Sequence, residues 1–295
     1  MEILASLPQP VRQFLLDVLR LSIWFFIFAV VFIPLERIFP EKRQKIFRKG
    51  TAMDVGYYIV NSLLPKALLV VPMATLAWTM HAFVPHVVLD TAAHLPLWAR
   101  AMAALAVGEV GYYWGHRWEH EIPFLWRFHS IHHNAEEMDW LVSSHAHPLD
   151  IVFSRFCSFV PIYALGLASP MAGHEVDPIP LIVMLVGIMW GFFIHANVNW
   201  RFGWLSFLIT TPAFHHWHHT RRDHVNRNYA TMLPFVDLLF GSWYLPKKQC
   251  PREYGIDGHV EPGLIGQLLQ PFAPVAAPVL PLESAASAES AESHP

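Results

Sequence analysis

Residues 101–120 read AMAALAVGEVGYYWGHRWEH, an apolar run interrupted by a single acid, Glu109, and closed by two histidines four apart. Residues with that spacing share a helix face, so a helix through this stretch carries His116 and His120 out of an apolar layer together. Nine residues later comes HSIHH, at 129–133, and far downstream HHWHH, at 215–219. In each, the first and fourth positions face one way and the fifth is turned by about a hundred degrees, which suits ligands shared between neighbouring ions.

The rest of the chain explains where such a helix sits. Its 295 residues are 54% hydrophobic and 15% charged, against roughly 25% charged in an ordinary soluble domain. A net charge of -3 excludes the basic footprint of a nucleic-acid binder. The two cysteines, Cys157 and Cys250, supply neither a disulfide framework nor a thiolate zinc site. Histidine is over-represented: of 19, 14 fall between His116 and His224.

Five stretches read as membrane helices: 21–35, 67–89 with its start upstream near Tyr57 and kinks at Pro65 and Pro72, 97–115, 156–173, and 178–200. The last two form a hairpin turned at 175–178. Six basic residues from Arg37 to Lys49 follow the first stretch and seven from Arg201 to Arg252 follow the last, while the turns at 81–99 and 169–178 contain no Lys or Arg. The positive-inside rule makes the basic segments cytoplasmic. Five spans then put the N-terminus outside and the C-terminus in the cytoplasm; a re-entrant second segment would put both termini inside. Pro8, Pro10, Arg12 and Asp17 interrupt any cleavable signal.

The expected architecture is all-α: a multi-pass transmembrane helical bundle with a cytoplasmic histidine-rich metal-binding cap. Residues 1–100 hold N-terminal spans and a basic linker, 101–250 the catalytic domain, and 251–295 a tail that turns to Pro, Ala, Ser and Glu and is disordered after 271. This topology brings His116 to His147, His195 and His215 to His219 to one face and leaves His81, His86, His94 and His174 on the other. Imidazole suits several metals. Nine or ten histidines nevertheless exceed the four that close a tetrahedral zinc site, and fit two ions of five or six coordinates.

With these motifs, residues 107–245 resemble the fatty acid hydroxylase and sterol desaturase superfamily of membrane di-iron enzymes. The resemblance rests on His116 with His120, His129 with His132 and His133, and His215 with His218 and His219. The text around them matches too: Leu125 to Phe128, Thr211-Pro212, Asn226 to Tyr229, and Phe240 to Tyr244. It implies two irons, with zinc able to replace them in a purified sample, O2 as oxidant and a lipid, fatty-acyl or sterol-like substrate that is hydroxylated or desaturated. It also implies His195 as a further metal ligand; His147 and His216 are additional candidates. Nothing before the first span is long enough for a haem domain, so electrons are expected from a separate donor protein. Small size and the lack of retention signals favour a bacterial inner membrane over endoplasmic reticulum.

Other residues are assigned by environment. Glu109, an ionisable group inside an apolar segment, and Asn228 are the candidates for a catalytic part. Glu119, Glu136, Asp150 and Asp223 are candidates, with Asn228, to orient imidazoles. Arg117, Arg127, Arg221 and Arg222 are candidates for head groups or a donor protein. Trp114, Trp118, Trp126, Trp140, Trp200, Trp204, Trp217 and Trp243 read as an interfacial belt. Two rival functions remain at this level. His116 to His120 also fits the H-x-x-E-H of inverted zinc proteases, and a metal carrier would use histidines, although carriers place polar ligands near the midplane.

Overall fold

The computed structural model describes residues 7–168 and 177–274, the side chain at position 66 excepted. The turn at 175–176, His174 and the chain from 275 onward lie outside the described residues. Everything described is helical or irregular; two isolated bridges, Pro40 with Val198 and Thr220 with Tyr254, are the only β pairings there.

Helix α1 runs Gln9–Ile38, longer at its start than its apolar stretch. Asp17 and Arg20, three apart, pair at 2.6 Å and let polar residues join the helix. Helix α2, Thr51–Phe83, begins before Tyr57 and bends by 40° between Pro65 and Ala67, where proline removes a helical hydrogen bond. The short α3, His86–Ala93, leads into α4, Leu97–Glu121. Pro123 then starts α5, Pro123–His133. A 3-10 turn, Trp140–Ser144, precedes α6, Pro148–Ala164, and α7, Ile179–His195. Short helices follow: α8 (Pro212–His218), α9 (Phe235–Phe240) and α10 (Leu264–Leu269). A 3-10 turn at Gln270–Phe272 follows α10 near the end of the described residues.

By length and hydropathy α1 is able to cross a membrane, and α2 is a second such helix if its bent halves are one span; α7 is apolar but only 17 residues long. Phe14, Leu19, Phe26, Val30 and Val31 are exposed along α1, so much of its apolar surface has no protein over it. Its other side packs Phe28 and Phe32 against Trp140 and Phe192. Of the expected tryptophan belt, Trp126, Trp140 and Trp217 are instead buried in protein.

Helices α4 and α6 set the position of the site. A Cβ at Gly111 would fall 2.3 Å from the Cys157 carbonyl oxygen, and one at Gly115 2.7 Å from the Cys157 Cβ. Only glycine lets the two backbones approach so closely, and the approach places Ser154 and Asp150 of α6 beside the last turn of α4. At the end of α1, Glu36 accepts the N–H groups of Trp140 (2.7 Å) and Asn197 (2.9 Å), tying that helix to the polar end of the molecule.

Candidate metal centre

Four elements deliver histidines to one buried volume. The last turns of α4 carry His116 and His120; Ile122 leaves the helix and Pro123 restarts it, so α5 turns back with His129, His132 and His133. His195 ends α7. Thr211 caps α8, accepting the Phe214 N–H at 3.2 Å, and this helix with its C-cap supplies His215, His218 and His219. Each of the nine is at most 8% exposed.

They fall into two adjoining groups: His116, His120, His129, His133 and His218, and His132, His195, His215 and His219. Within each group one nitrogen per ring lies within 4.8 Å of all the others. His116 and His133 each bring Nε2 to 3.1 Å from His129 Nε2. His195 Nε2 lies 3.0 Å from that of His215 and 3.2 Å from those of His132 and His219. The stacked rings of His133 and His219, 4.4 Å apart, join the groups.

The outer nitrogens fix the protonation of these rings. Nδ1 of His116, His132, His195 and His218 lies 2.6 to 2.9 Å from the carbonyl oxygens of Tyr229, His145, Gly191 and Arg227. A carbonyl only accepts, so these Nδ1 atoms carry the proton and the Nε2 atoms present bare lone pairs. His129 Nδ1 donates to Asp150 at 3.0 Å. Lone pairs facing one another at about 3 Å repel, and Nε2 of His120 and of His218 has no hydrogen-bond partner among the described residues. A bound cation is the complement such a set lacks, and neutral imidazoles are the form a metal takes. Burial, then the neighbouring His129, pushes His132 down to about 4. Burial and neighbouring histidines likewise hold His133, His215, His218 and His219 well below the ordinary imidazole range.

Glu109 and Asn228 sit one layer out. Glu109 accepts the backbone N–H groups of Thr231 (2.6 Å) and Met232 (2.7 Å). The Asn228 amide donates to the Phe214 and Tyr244 carbonyls and accepts the Tyr244 N–H. Both side chains are committed to backbone, and what they fix is the segment whose Arg227 and Tyr229 carbonyls hold His218 and His116. Asp237, which sequence reading missed, completes the anchor by accepting the N–H groups of Tyr229 and Ala230 at 2.8 and 2.9 Å. Its only sequence signal was an acid within ten residues of Asn228.

Of the other acids, Asp150 meets His129, and Glu119 accepts the Ser154 hydroxyl at 2.8 Å beside them. Glu136 and Asp223 are exposed. Neither histidine group includes His147 or His216. His147 accepts the Leu149 N–H with one ring nitrogen and donates to the Leu268 carbonyl with the other, capping α6. His216 turns away to a buried partnership with Glu41, joined by Tyr254. Burial would raise the Glu41 carboxyl, but the charge and hydrogen bonds of His216 and Tyr254 hold it at about 2.

An all-helical chain that converges nine imidazoles in two touching groups has the site of a histidine-cluster metalloenzyme. Residues 101–242 match the family described as fatty acid hydroxylase. The chain is 29% identical to an ornithine lipid hydroxylase of Rhizobium tropici over 85% of its own length and 76% of that protein's. It is 30% identical to an alkylglycerol monooxygenase of Danio rerio over 50% of this chain and 30% of the relative. A methylsterol monooxygenase of Arabidopsis thaliana is 24% identical over 74% and 83% of the two chains. No solved structure matches. The family match covers just under half of the chain, and relatives over most of its length are named hydroxylase and monooxygenase, so the comparisons support the fatty acid hydroxylase superfamily and an oxygen-dependent oxidoreductase.

Proposed function

We propose that the chain is a membrane di-iron monooxygenase that hydroxylates a C–H bond of a lipid, with electrons from a separate donor protein. The observation that carries this reading is the convergence of nine buried imidazole nitrogens in two adjoining groups, five of them with the ring proton held on the outer nitrogen. Two irons there would supply the redox chemistry that activates O2 against an unactivated C–H bond. In this reading His116, His120, His129, His133 and His218 hold one metal, and His132, His195, His215 and His219 the other. The carbonyls of Tyr229, His145, Gly191 and Arg227 and the Asp150 carboxylate keep the protons of His116, His132, His195, His218 and His129 on the outer nitrogen, so the inner one stays available. Burial of all nine rings excludes bulk water from the reacting volume.

Hydroxylation is preferred to desaturation because relatives across its length are named hydroxylase and monooxygenase. Residues 101–250 form the catalytic domain in this reading, and α1, α2, α4, α6 and α7 cross a bacterial inner membrane with the histidine end in the cytoplasm. The inverted-protease alternative needs Glu119 to face substrate and water. Glu119 is 1% exposed and accepts the Ser154 hydroxyl, which disfavours it.

The test is metal analysis of the purified full chain, followed by lipid incubation with a reductant and labelled O2. Two irons per chain and a lipid product heavier by one labelled oxygen are expected. One zinc per chain with peptide hydrolysis would refute the proposal.

A further inference from the structure

Arg155 is partly buried near the middle of α6, and it has no hydrogen bond or ion pair among the described residues. It alone is in that position. Arg48 pairs with Asp54 and Asp139, Arg100 with Asp177, Arg117 with Glu121 and Arg221 with Asp257. Arg127, Arg201 and Arg227 donate to backbone carbonyls. The other arginines without a partner, Arg12, Arg43 and Arg252, are exposed.

The nearest acids do not serve Arg155. Glu119 and Asp150 are engaged with Ser154 and His129. The residue before Arg155, Ser154, donates to Glu119 at 2.8 Å, and Glu119 lies 3.7 Å from His129 Nδ1, so this stretch of α6 runs beside the histidine groups. Side chains on a helix lean toward its N-terminus, which on α6 is the end bearing Asp150, about 7.5 Å of helix rise from Arg155. A guanidinium does not shed its proton, and leaving it partly buried and unpaired is costly. Its two-pronged donor edge matches a carboxylate or a phosphate.

We infer that Arg155 is the receptor for the anionic head group of the lipid substrate. The inference rests on the lipid-hydroxylase reading and narrows it. The substrate carries a phosphate or carboxylate, and the carbon oxidised lies within a few bonds of that group rather than at the far end of an acyl chain.

The experiment measures binding of phosphatidic acid, oleate and uncharged dioleoylglycerol to the iron-loaded full chain in detergent, beside Arg155→Gln and Arg155→Lys. The wild type should prefer the two anionic lipids by roughly tenfold or more, the scale of a lost charge-assisted hydrogen bond. Arg155→Gln should lose that preference at unchanged iron content and thermal midpoint, and Arg155→Lys should keep part of it. Should Arg155→Gln fold poorly, a weakened preference in Arg155→Lys decides the matter. Inorganic phosphate should not displace the lipid. Retained preference in both variants, or full displacement by phosphate alone, would overturn the proposal. Anionic preference without any lipid oxidation would uphold this site and count against the hydroxylase reading instead.

Discussion

Replacing His132 with alanine removes one imidazole from a group of four and leaves His195 Nε2, now 3.2 Å from its partner, facing a gap. The helices that carry the site are held by packing and satisfied backbone bonds rather than by metal, so the fold should persist while one metal is lost. We expect His132→Ala and His218→Ala to form no oxidised lipid and to retain at most about half the wild-type metal. His259→Ala should match wild type, since His259 is exposed and its ring meets only Glu261 among the described residues. Metal content and product yield at matched detergent stability check this. Acid adds a second expectation. His132 titrates near 4 in the fold against about 6.5 in an unfolded chain. The unfolded state therefore takes up protons that the fold refuses as pH drops through that window. His133, His215, His218 and His219 shift the same way. Each fully titrating histidine costs about 1.4 kcal/mol per pH unit. The metal-free chain should thus be fully stabilised above pH 6.5 and melt progressively lower from there toward 4; a flat thermal midpoint across that range would contradict it. Eight of the clustered histidines were legible from their spacing and number, while His195, which stands alone in the sequence, entered only through the family resemblance. His147 and His216 were not separable from them, because a ring that caps a helix and a ring that binds metal have the same local sequence.

Helix α4 is where sequence and packing meet most tightly. Its small residues at Gly108, Gly111 and Gly115 bring α6 close, and its Glu109 reaches across to hold the backbone of Thr231 and Met232. Glu109 was legible as an anomaly, an acid in an apolar run, but its partners lie more than a hundred residues away and no periodicity reveals them. Glu109→Ala removes the one oxygen, Oε1, that accepts the N–H groups of Thr231, Met232 and Leu233. It should cost about 1–3 kcal/mol and weaken metal binding at the His116 group, because the Tyr229 carbonyl that orients His116 belongs to the anchored segment. A catalytic acid would instead lose turnover at unchanged metal affinity, so metal titration beside product rate separates the two roles. Gly111→Leu, which drives a side chain into the Cys157 carbonyl, should destabilise by about 1–3 kcal/mol in a denaturation series. Element ends were read less well than elements. Helix α1 starts twelve residues before its expected apolar stretch at 21, since the Asp17–Arg20 pair is invisible to hydropathy.

At the scale of the whole molecule, the open question of physics is which way the histidine end faces. Much of the basic charge behind the positive-inside argument is spent within the cap. Arg48 is buried between Asp54 and Asp139, Lys42 donates to the Pro251 carbonyl at 2.9 Å, and Arg201 donates to backbone at Pro246 and Gln249. These contacts bind the 36–54 segment to the 197–254 segment, so the two basic stretches necessarily lie on one side. What remains to attract the cytoplasmic face is Arg43, Lys247, Lys248 and Arg252, exposed and without ion pairs among the described residues, with Lys45 and Lys49 in the same loop as Arg43. Translocating that charge with the cap is the disfavoured alternative. Glu136 is exposed beside the histidine groups, which makes it a reporter that does not disturb them. With Cys157→Ala and Cys250→Ser removing the native thiols, Glu136→Cys should be silent to an impermeant maleimide in intact cells and react once the cytoplasmic side is opened. Labelling in intact cells would place the cap outside and require an electron donor on that side. The sign of the result thus fixes the compartment from which reducing equivalents reach the site, because the cap is the part of the described structure where the histidines, their carbonyl anchors and the basic loops coincide.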